Sequence, residues 1–250
     1  MSQENTQSAF IFGTRPLIEA LKSGIEIEKV LIQSGSRSPQ LSEVIRLTRE
    51  RSVPYQMVPV EKLNRITRKN HQGVIAFTSA VVYQKLEYIL PMLFEAGLTP
   101  FILILDKVTD VRNFGAIART AEASGVHAIV FPTRGSALIG ADAVKTSAGA
   151  LTRINICREE NLKTTIDFLK QSGLKIAAVS EKSDKQIWDN DLNGPIALIL
   201  GSEETGISGA YLQMADLHLR IPMAGSIESL NVSVAAGIAC YEVVRQRKVE

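Results

Sequence analysis

The sequence predicts an α/β protein: a mostly parallel sheet covered by helices, preceded by a smaller α/β domain. Three features carry this. Residues 101–106, "FILILD", form a continuous apolar run of the kind found in a strand buried on both faces. From there strand-like and helix-like segments alternate, as in βα units around a parallel sheet. Three loops with unusual residues follow strand-like segments, after Asp106, Leu200 and Ile221, at the strand ends where such folds bind ligands.

In the first part, "GTRPLIEALKSG" reads as a helix with Pro16 near its start and Gly24 past its end. Strand "IEKVLIQ", helix "PQLSEVIRLTRERS", strand "PYQMVPV", helix "EKLNRITRK" and strand "GVIAFTSA" complete a domain over residues 1–80. Residues 81–100 contain a helical stretch interrupted by Pro91 and closed by Gly97 and Pro100, and read as a connection, with a packed helix as the alternative. Residues 101–250 form the second domain. After "FILILD" come helix "NFGAIARTAEAS", strand "VHAIVF", helix "ADAVKTSAG", strand "TRINIC", helix "ENLKTTIDFLKQS", and strands "LKIAAVS" and "PIALIL". A strand around "ADLHLRI" and a helix from about Leu230 to Arg247 close it.

At 250 residues and 45% hydrophobic content the chain can bury a substantial core. Cys157 and Cys240 are far apart, lack metal-ligand spacing and read as buried reduced thiols. His71, His127 and His218 are scattered, so no metal site is predicted. No apolar run reaches the roughly 18 residues of a membrane span, and "MSQENTQSAF" lacks a signal pattern, which predicts a cytoplasmic protein without a membrane partner. Net charge is only +2, but residues 37–71 hold Arg37, Arg46, Arg49, Arg51, Lys62, Arg65, Arg68 and Lys69 against Glu43, Glu50 and Glu61. That excess marks a candidate phosphate-contacting surface, with solvated helix faces as the alternative.

In the first loop Asp110 or Asn113 can cap the helix, and Gly115 leaves room for another backbone or a ligand. Arg119 lies on the same helix and is also placed to pair with Glu122. In the second, Glu203 sits between Gly201 and Gly206, whose backbones are free to meet a ligand. In the third, "IPMAGSIESLNVSVAAG", Ser226, Ser229 or Asn231 can cap the following helix, which leaves polar groups over. Neither a dinucleotide-binding glycine motif nor a P-loop is present.

Together, "NFGAIARTA", "LILGSEETGIS" and "IPMAGSIESLNVSVAAGIACYEVVRQR" resemble the three ordered motifs of the SpoU, or TrmH-type, RNA ribose 2'-O-methyltransferases of the SPOUT superfamily. The resemblance spans Phe101 to Lys248. "IFGTRPLIEALKSG" and "HQGVIAFTSA" resemble the family's N-terminal RNA-binding module, similar in fold to ribosomal protein L30e, and the chain is most similar to the branch that methylates a guanosine in 23S ribosomal RNA. The resemblance implies a trefoil-knotted catalytic domain, S-adenosylmethionine as cofactor and a homodimer. Its substrate would be large-subunit ribosomal RNA or an assembly intermediate. It implies catalytic roles for Asn113, Arg119, Glu203, Ser229 and Asn231, and cofactor contacts from Ser180, Leu200, Gly201, Ile221 and Leu230. Arg119 would act either as a transient base or as a fixed charge that stabilises the developing alkoxide. Thr205 stands where many members have glycine. A transfer RNA guanosine 2'-O-methyltransferase and a non-catalytic RNA-binding or ribosome-assembly protein are the alternatives.

Overall fold

A computed structural model describes residues 10–36, 38–183 and 185–247 and divides the chain into two compact units. The first comprises residues up to Val82 plus Leu138–Ala141; the second comprises Tyr83–Ala137 and the chain from Asp142.

The first unit is a four-stranded sheet with strands β1 (Phe10–Phe12), β2 (Ile27–Gln33), β3 (Tyr55–Val58) and β4 (Val74–Thr78), in the order β1-β4-β2-β3. β4 runs antiparallel to β1 and β2, and β2 parallel to β3. Helices α1 (Thr14–Ser23) and α2 (Pro39–Glu50) cover one face through Leu17, Leu21, Leu41, Val44 and Leu47, while α3 (Val60–Ile66) covers the other through Leu63. Each of these leucines contributes about 1.5–3 kcal/mol by leaving water. Local chemistry sets the boundaries: Gly24 ends α1 in the left-handed conformation, φ 85°, and Ser38 caps α2 by accepting the Leu41 N–H at 3.2 Å.

The second unit holds a six-stranded sheet in which every pairing is parallel. Its strands are β5 (Phe101–Asp106), β6 (Ala128–Pro132), β7 (Asn155–Glu159), β8 (Lys175–Val179), β9 (Ile196–Gly201) and β10 (Leu217–Leu219), in the order β10-β8-β9-β5-β6-β7. All six residues of β5 are buried, as a central strand covered on both faces requires. One face packs Ile102, Ile104, Val130, Ile176 and Ile199 against helix α4 (Leu86–Glu95) and α7 (Leu162–Gln171). On α5 (Val111–Ala123), Phe114 meets Phe131 of β6 edge-on at 5.2 Å, and α5 packs along the final helix α9 (Val232–Arg247). Two short helices, α6 (Ala141–Thr146) and α8 (Gly209–Met214), complete the unit.

Of the two sequence readings of residues 81–100, a connection or a packed helix, the packed helix is observed over Leu86–Glu95, and residues 83–100 group with the second unit. Leu86, Leu90 and Leu93 of α4 are buried in its core, while Pro91 faces solvent, where water can satisfy the backbone carbonyl that its missing N–H leaves unpaired. No helix among the described residues is long and apolar enough to cross a membrane.

Candidate active site

The strand order explains why three loops distant in sequence meet. β10, β8, β9 and β5 are neighbours and parallel, so the segments that leave their carboxyl ends begin side by side. Asp106, the last residue of β5, is register partner of Gly201, the last of β9.

The loop after β9 folds back on its own strand. Gly206 N–H donates to the Ser202 carbonyl at 2.9 Å, and the Ser202 and Thr205 hydroxyls lie 2.9 Å apart. This return requires glycine at 201: a Cβ there would stand 2.1 Å from the Gly206 carbonyl carbon and 2.2 Å from the Ile207 nitrogen. Gly115 meets a similar constraint, because its Cβ would fall 2.9 Å from the Ala143 carbonyl oxygen. Of the two occupants allowed by sequence, backbone or ligand, backbone fills that space.

Asp110 caps α5, its Oδ1 accepting the Arg112 and Asn113 N–H groups at 2.8 Å each. The Asn113 side chain is thereby left for another partner. Its Nδ2 donates to Glu203 Oε1 at 3.2 Å, while its Oδ1 accepts from Asn231 Nδ2 at 3.0 Å. Asn231 Nδ2 also donates to Glu203 Oε1, which accepts the Val232 N–H at 3.2 Å as well. Asn231 Oδ1 accepts from Ser233 N–H at 2.9 Å, the bond of an N-cap. One carboxylate thus ties together all three loops. Among the described residues the side chains of Ser226 and Ser229 make no hydrogen bond, so the polar groups in excess of the cap remain available.

Two cavities flank this cluster within the second unit. The first, about 270 Å³, is lined by Ser180, Leu200, Gly201, Glu203, Ile221, Ser229 and Leu230 among others. Ser180 also accepts the Lys182 N–H at 3.3 Å. Residues 221–230 make no backbone–backbone hydrogen bond to other described residues, so their N–H and C=O groups stay available to a ligand in this cavity. The apolar side chains of Leu200, Ile221 and Leu230, set among Glu181, Lys182, Glu204 and Glu228 and beside spare backbone hydrogen-bonding groups, fit a cofactor that carries both a nucleoside and charge. The second cavity, about 620 Å³, is lined by Lys107, Asp110, Asn113, Glu203 and Val232 and shares Ser202–Thr205 with the first.

Arg119 is not brought to this cluster. It is exposed on α5, lines neither cavity, and has no side-chain partner among the described residues. Glu122, its alternative partner by sequence, instead lies 3.8 Å from Arg153. Asp106 was not singled out by the sequence reading: its buried Oδ2 accepts the Ser208 N–H at 2.7 Å and anchors the far end of the β9 loop. The signal was present, as the one charge closing an all-apolar strand.

Other side chains take structural places. Cys157 and Cys240 are buried free thiols, both pushed up to about 12 by desolvation first of all. His127 Nδ1 accepts the Phe101 N–H at 3.0 Å. In the first unit, Arg46 pairs with Glu50 at 2.6 Å, Arg49 donates to the Tyr55 hydroxyl at 2.9 Å, and Arg51 donates to the Leu21 carbonyl at 2.8 Å. Lys69 lies over the Phe12 ring at 5.7 Å, and Lys62, Arg65 and Arg68 form no ion pair among the described residues. Arg37 lies outside the described residues.

Comparison with known proteins agrees with this architecture. The chain belongs to the SpoU rRNA methylase family, whose model matches residues 100–241. A second family model, for RNA 2'-O ribose methyltransferase substrate binding, matches residues 10–84. A Bacillus subtilis relative, YacO, named for the TrmH family of tRNA/rRNA methyltransferases, is 35% identical over 99% of this chain and 98% of its own. The AdoMet-bound structure of an rRNA methyltransferase from Sinorhizobium meliloti is 27% identical, with a TM-score of 0.61 over 96% of this chain and 88% of that one. The SpoU methyltransferase AviRb from Streptomyces viridochromogenes, in complex with AdoMet, is 25% identical with a TM-score of 0.60, over 99% and 94% of the two chains.

Proposed function

We propose that this protein transfers a methyl group from S-adenosylmethionine to the ribose 2'-hydroxyl of a guanosine in 23S ribosomal RNA, as a cytoplasmic homodimer. The observation that carries the reading is the tie of Asn113, Glu203 and Asn231, from three loops, beside two cavities that share a wall. In the smaller cavity Leu200, Ile221 and Leu230 supply the apolar walls, Ser180 and the backbone from Gly201 and from 221–230 the hydrogen bonds. S-adenosylmethionine, bound there, supplies an electrophilic methyl carbon on a sulfonium. Known AdoMet complexes of similar chains support that choice of cofactor, and a trefoil-knotted passage of the chain is the form in which we expect these loops to be held.

In-line transfer rewards positioning above all. Asn113 and Ser229 hold the substrate backbone, Asn231 and Glu203 fix the loops around it, and Arg119 stabilises charge developing on the 2'-oxygen. A guanidinium is a fixed positive charge that donates hydrogen bonds and accepts none, which favours this role over that of a base. Its separation from the cluster within one chain supports action on the partner's site. Helix α9 supports the dimer. It buries Val232, Ala236, Ala239, Cys240 and Val243 on one face and leaves Val234, Ile238 and Tyr241, at i, i+4 and i+7, exposed on another. The first unit, an L30e-like RNA-binding domain in this reading, offers Lys62, Arg65, Arg68 and Lys69 to phosphates.

The test is a map of ribose methylation in RNA from cells with and without the gene. Loss of one 2'-O-methylguanosine from 23S ribosomal RNA is the expected result. Loss from transfer RNA instead would move the substrate, and an unchanged map together with S-adenosylmethionine binding would leave a non-catalytic RNA-binding protein.

A further inference from the structure

We propose that Lys107 forms a phosphate subsite in the larger cavity and holds an RNA phosphodiester beside the target ribose; the inference rests on the methyltransferase reading. Lys107 immediately follows β5 and has φ 58°, the left-handed region that side-chain-bearing residues rarely occupy. The residues on either side are held in place. Asp106 is buried and bonded to the Ser208 N–H at 2.7 Å, and Val108 is buried with its carbonyl accepting the Ala137 N–H at 2.9 Å. Ser52, Gln72 and Ala148 share this conformation; what sets Lys107 apart is that it is held there on the wall of the larger cavity.

The charged lining residues of that cavity are Lys107, Asp110, Glu203 and Glu204, so a single cation faces three carboxylates. Asp110 is committed to the α5 N-terminus, and Glu203 to Asn113, Asn231 and Val232. An RNA strand that enters to reach the shared wall brings its own negative charge past these carboxylates. Lys107, exposed and without a side-chain partner among the described residues, is the one lining group able to neutralise a phosphate there. At about 620 Å³ the cavity has room for a nucleotide.

The test compares the full-length wild type with Lys107→Gly and Lys107→Gln, on protein-free large-subunit rRNA from a strain lacking the gene, across a range of salt. Glycine accepts the positive φ, so Lys107→Gly should melt at or above the wild-type temperature and folding is not in question. Both variants are expected to raise the RNA KM about tenfold at low salt and to flatten the dependence of log KM on log salt by about one. S-adenosylmethionine affinity should stay within about twofold, and Lys107→Arg should recover most of the loss. Wild-type KM and salt slope in both variants would overturn the proposal and leave the methyltransferase reading standing. A wild-type protein that methylates no RNA would overturn the reading, and this subsite with it.

Discussion

Asn231 donates a side-chain hydrogen bond to Glu203 across 28 residues of sequence, and the same Glu203 oxygen accepts from Asn113 and from the Val232 N–H. Three donors converge on one acceptor, at the start of a 16-residue helix whose dipole favours a negative charge there. Glu203→Ala removes the acceptor from all three. Because the site is exposed and water can partly replace the carboxylate, we expect a cost of roughly 1–2 kcal/mol in loop order. It should be read as about a tenfold weaker S-adenosylmethionine affinity by calorimetry, with a larger loss of turnover. Glu203→Gln keeps one oxygen and should fall between the two; if Glu203→Ala binds and turns over normally, the carboxylate does not organise the site.

Gly201 and Gly225 give a paired test of which glycine shapes the cofactor cavity. A methyl at 201 would collide with the backbone of Gly206 and Ile207, whereas nothing lies within 4 Å of one at 225, whose φ is not positive. Gly201→Ala must displace the loop after β9, at about 1–3 kcal/mol, and should cost at least tenfold in S-adenosylmethionine affinity. Gly225→Ala should match the wild type in melting temperature and cofactor affinity. Equal affinities in the two variants would show that the return of the loop onto Gly201 does not form the binding surface.

His127 makes stability depend on pH in a defined direction. Burial first, and the Arg247 charge second, hold its pKa below the ordinary 6.5, and its Nδ1 must stay unprotonated to accept the Phe101 N–H. Above the unfolded value both states carry a neutral imidazole and the contribution is complete. As pH falls below about 6.5 the unfolded chain takes up the proton more readily, so stability falls until the folded pKa is passed. Melting curves between pH 7.5 and 5 should show a smaller acid-side drop for His127→Asn than for the wild type. Parallel drops would assign the acid sensitivity to other groups.

These sites were unequally legible in the sequence. β2 is bounded as expected because the glycine that ends α1 and the apolar run of the strand are both local signals. β1 went unread because three residues are too few to show alternation. α4 was obscured by Pro91, although Leu86, Leu90 and Leu93 carry its helical spacing. Asn113, Glu203 and Asn231 were named from motifs, but their meeting depends on β9 lying beside β5 and on β8 joining β10 to β9, a pairing of distant segments that no local pattern encodes. The positive φ of Lys107 likewise has no counterpart in residue type.

Arg119 supplies the sharpest test of the proposed dimer. It lines neither cavity within its own chain, so in the proposed enzyme each site combines one protomer's loops with the partner's guanidinium. Arg119→Lys should lose most turnover and keep cofactor affinity within a few fold, because a lysine cannot reproduce the planar, multiply donating guanidinium. Mixing Arg119→Lys with Gly201→Ala by joint unfolding and refolding then separates the two arrangements. If Arg119 served its own chain's site, every site in every dimer would carry one defect, and at S-adenosylmethionine well below the wild-type Kd the mixture would show no more activity than the two variants kept apart. If it serves the partner's site, each mixed dimer holds one doubly defective and one intact site. Mixed dimers make up about half of a random mixture, so about a quarter of wild-type activity should return. Absence of recovery from a mixture shown to contain mixed dimers would rule out action across the two-fold.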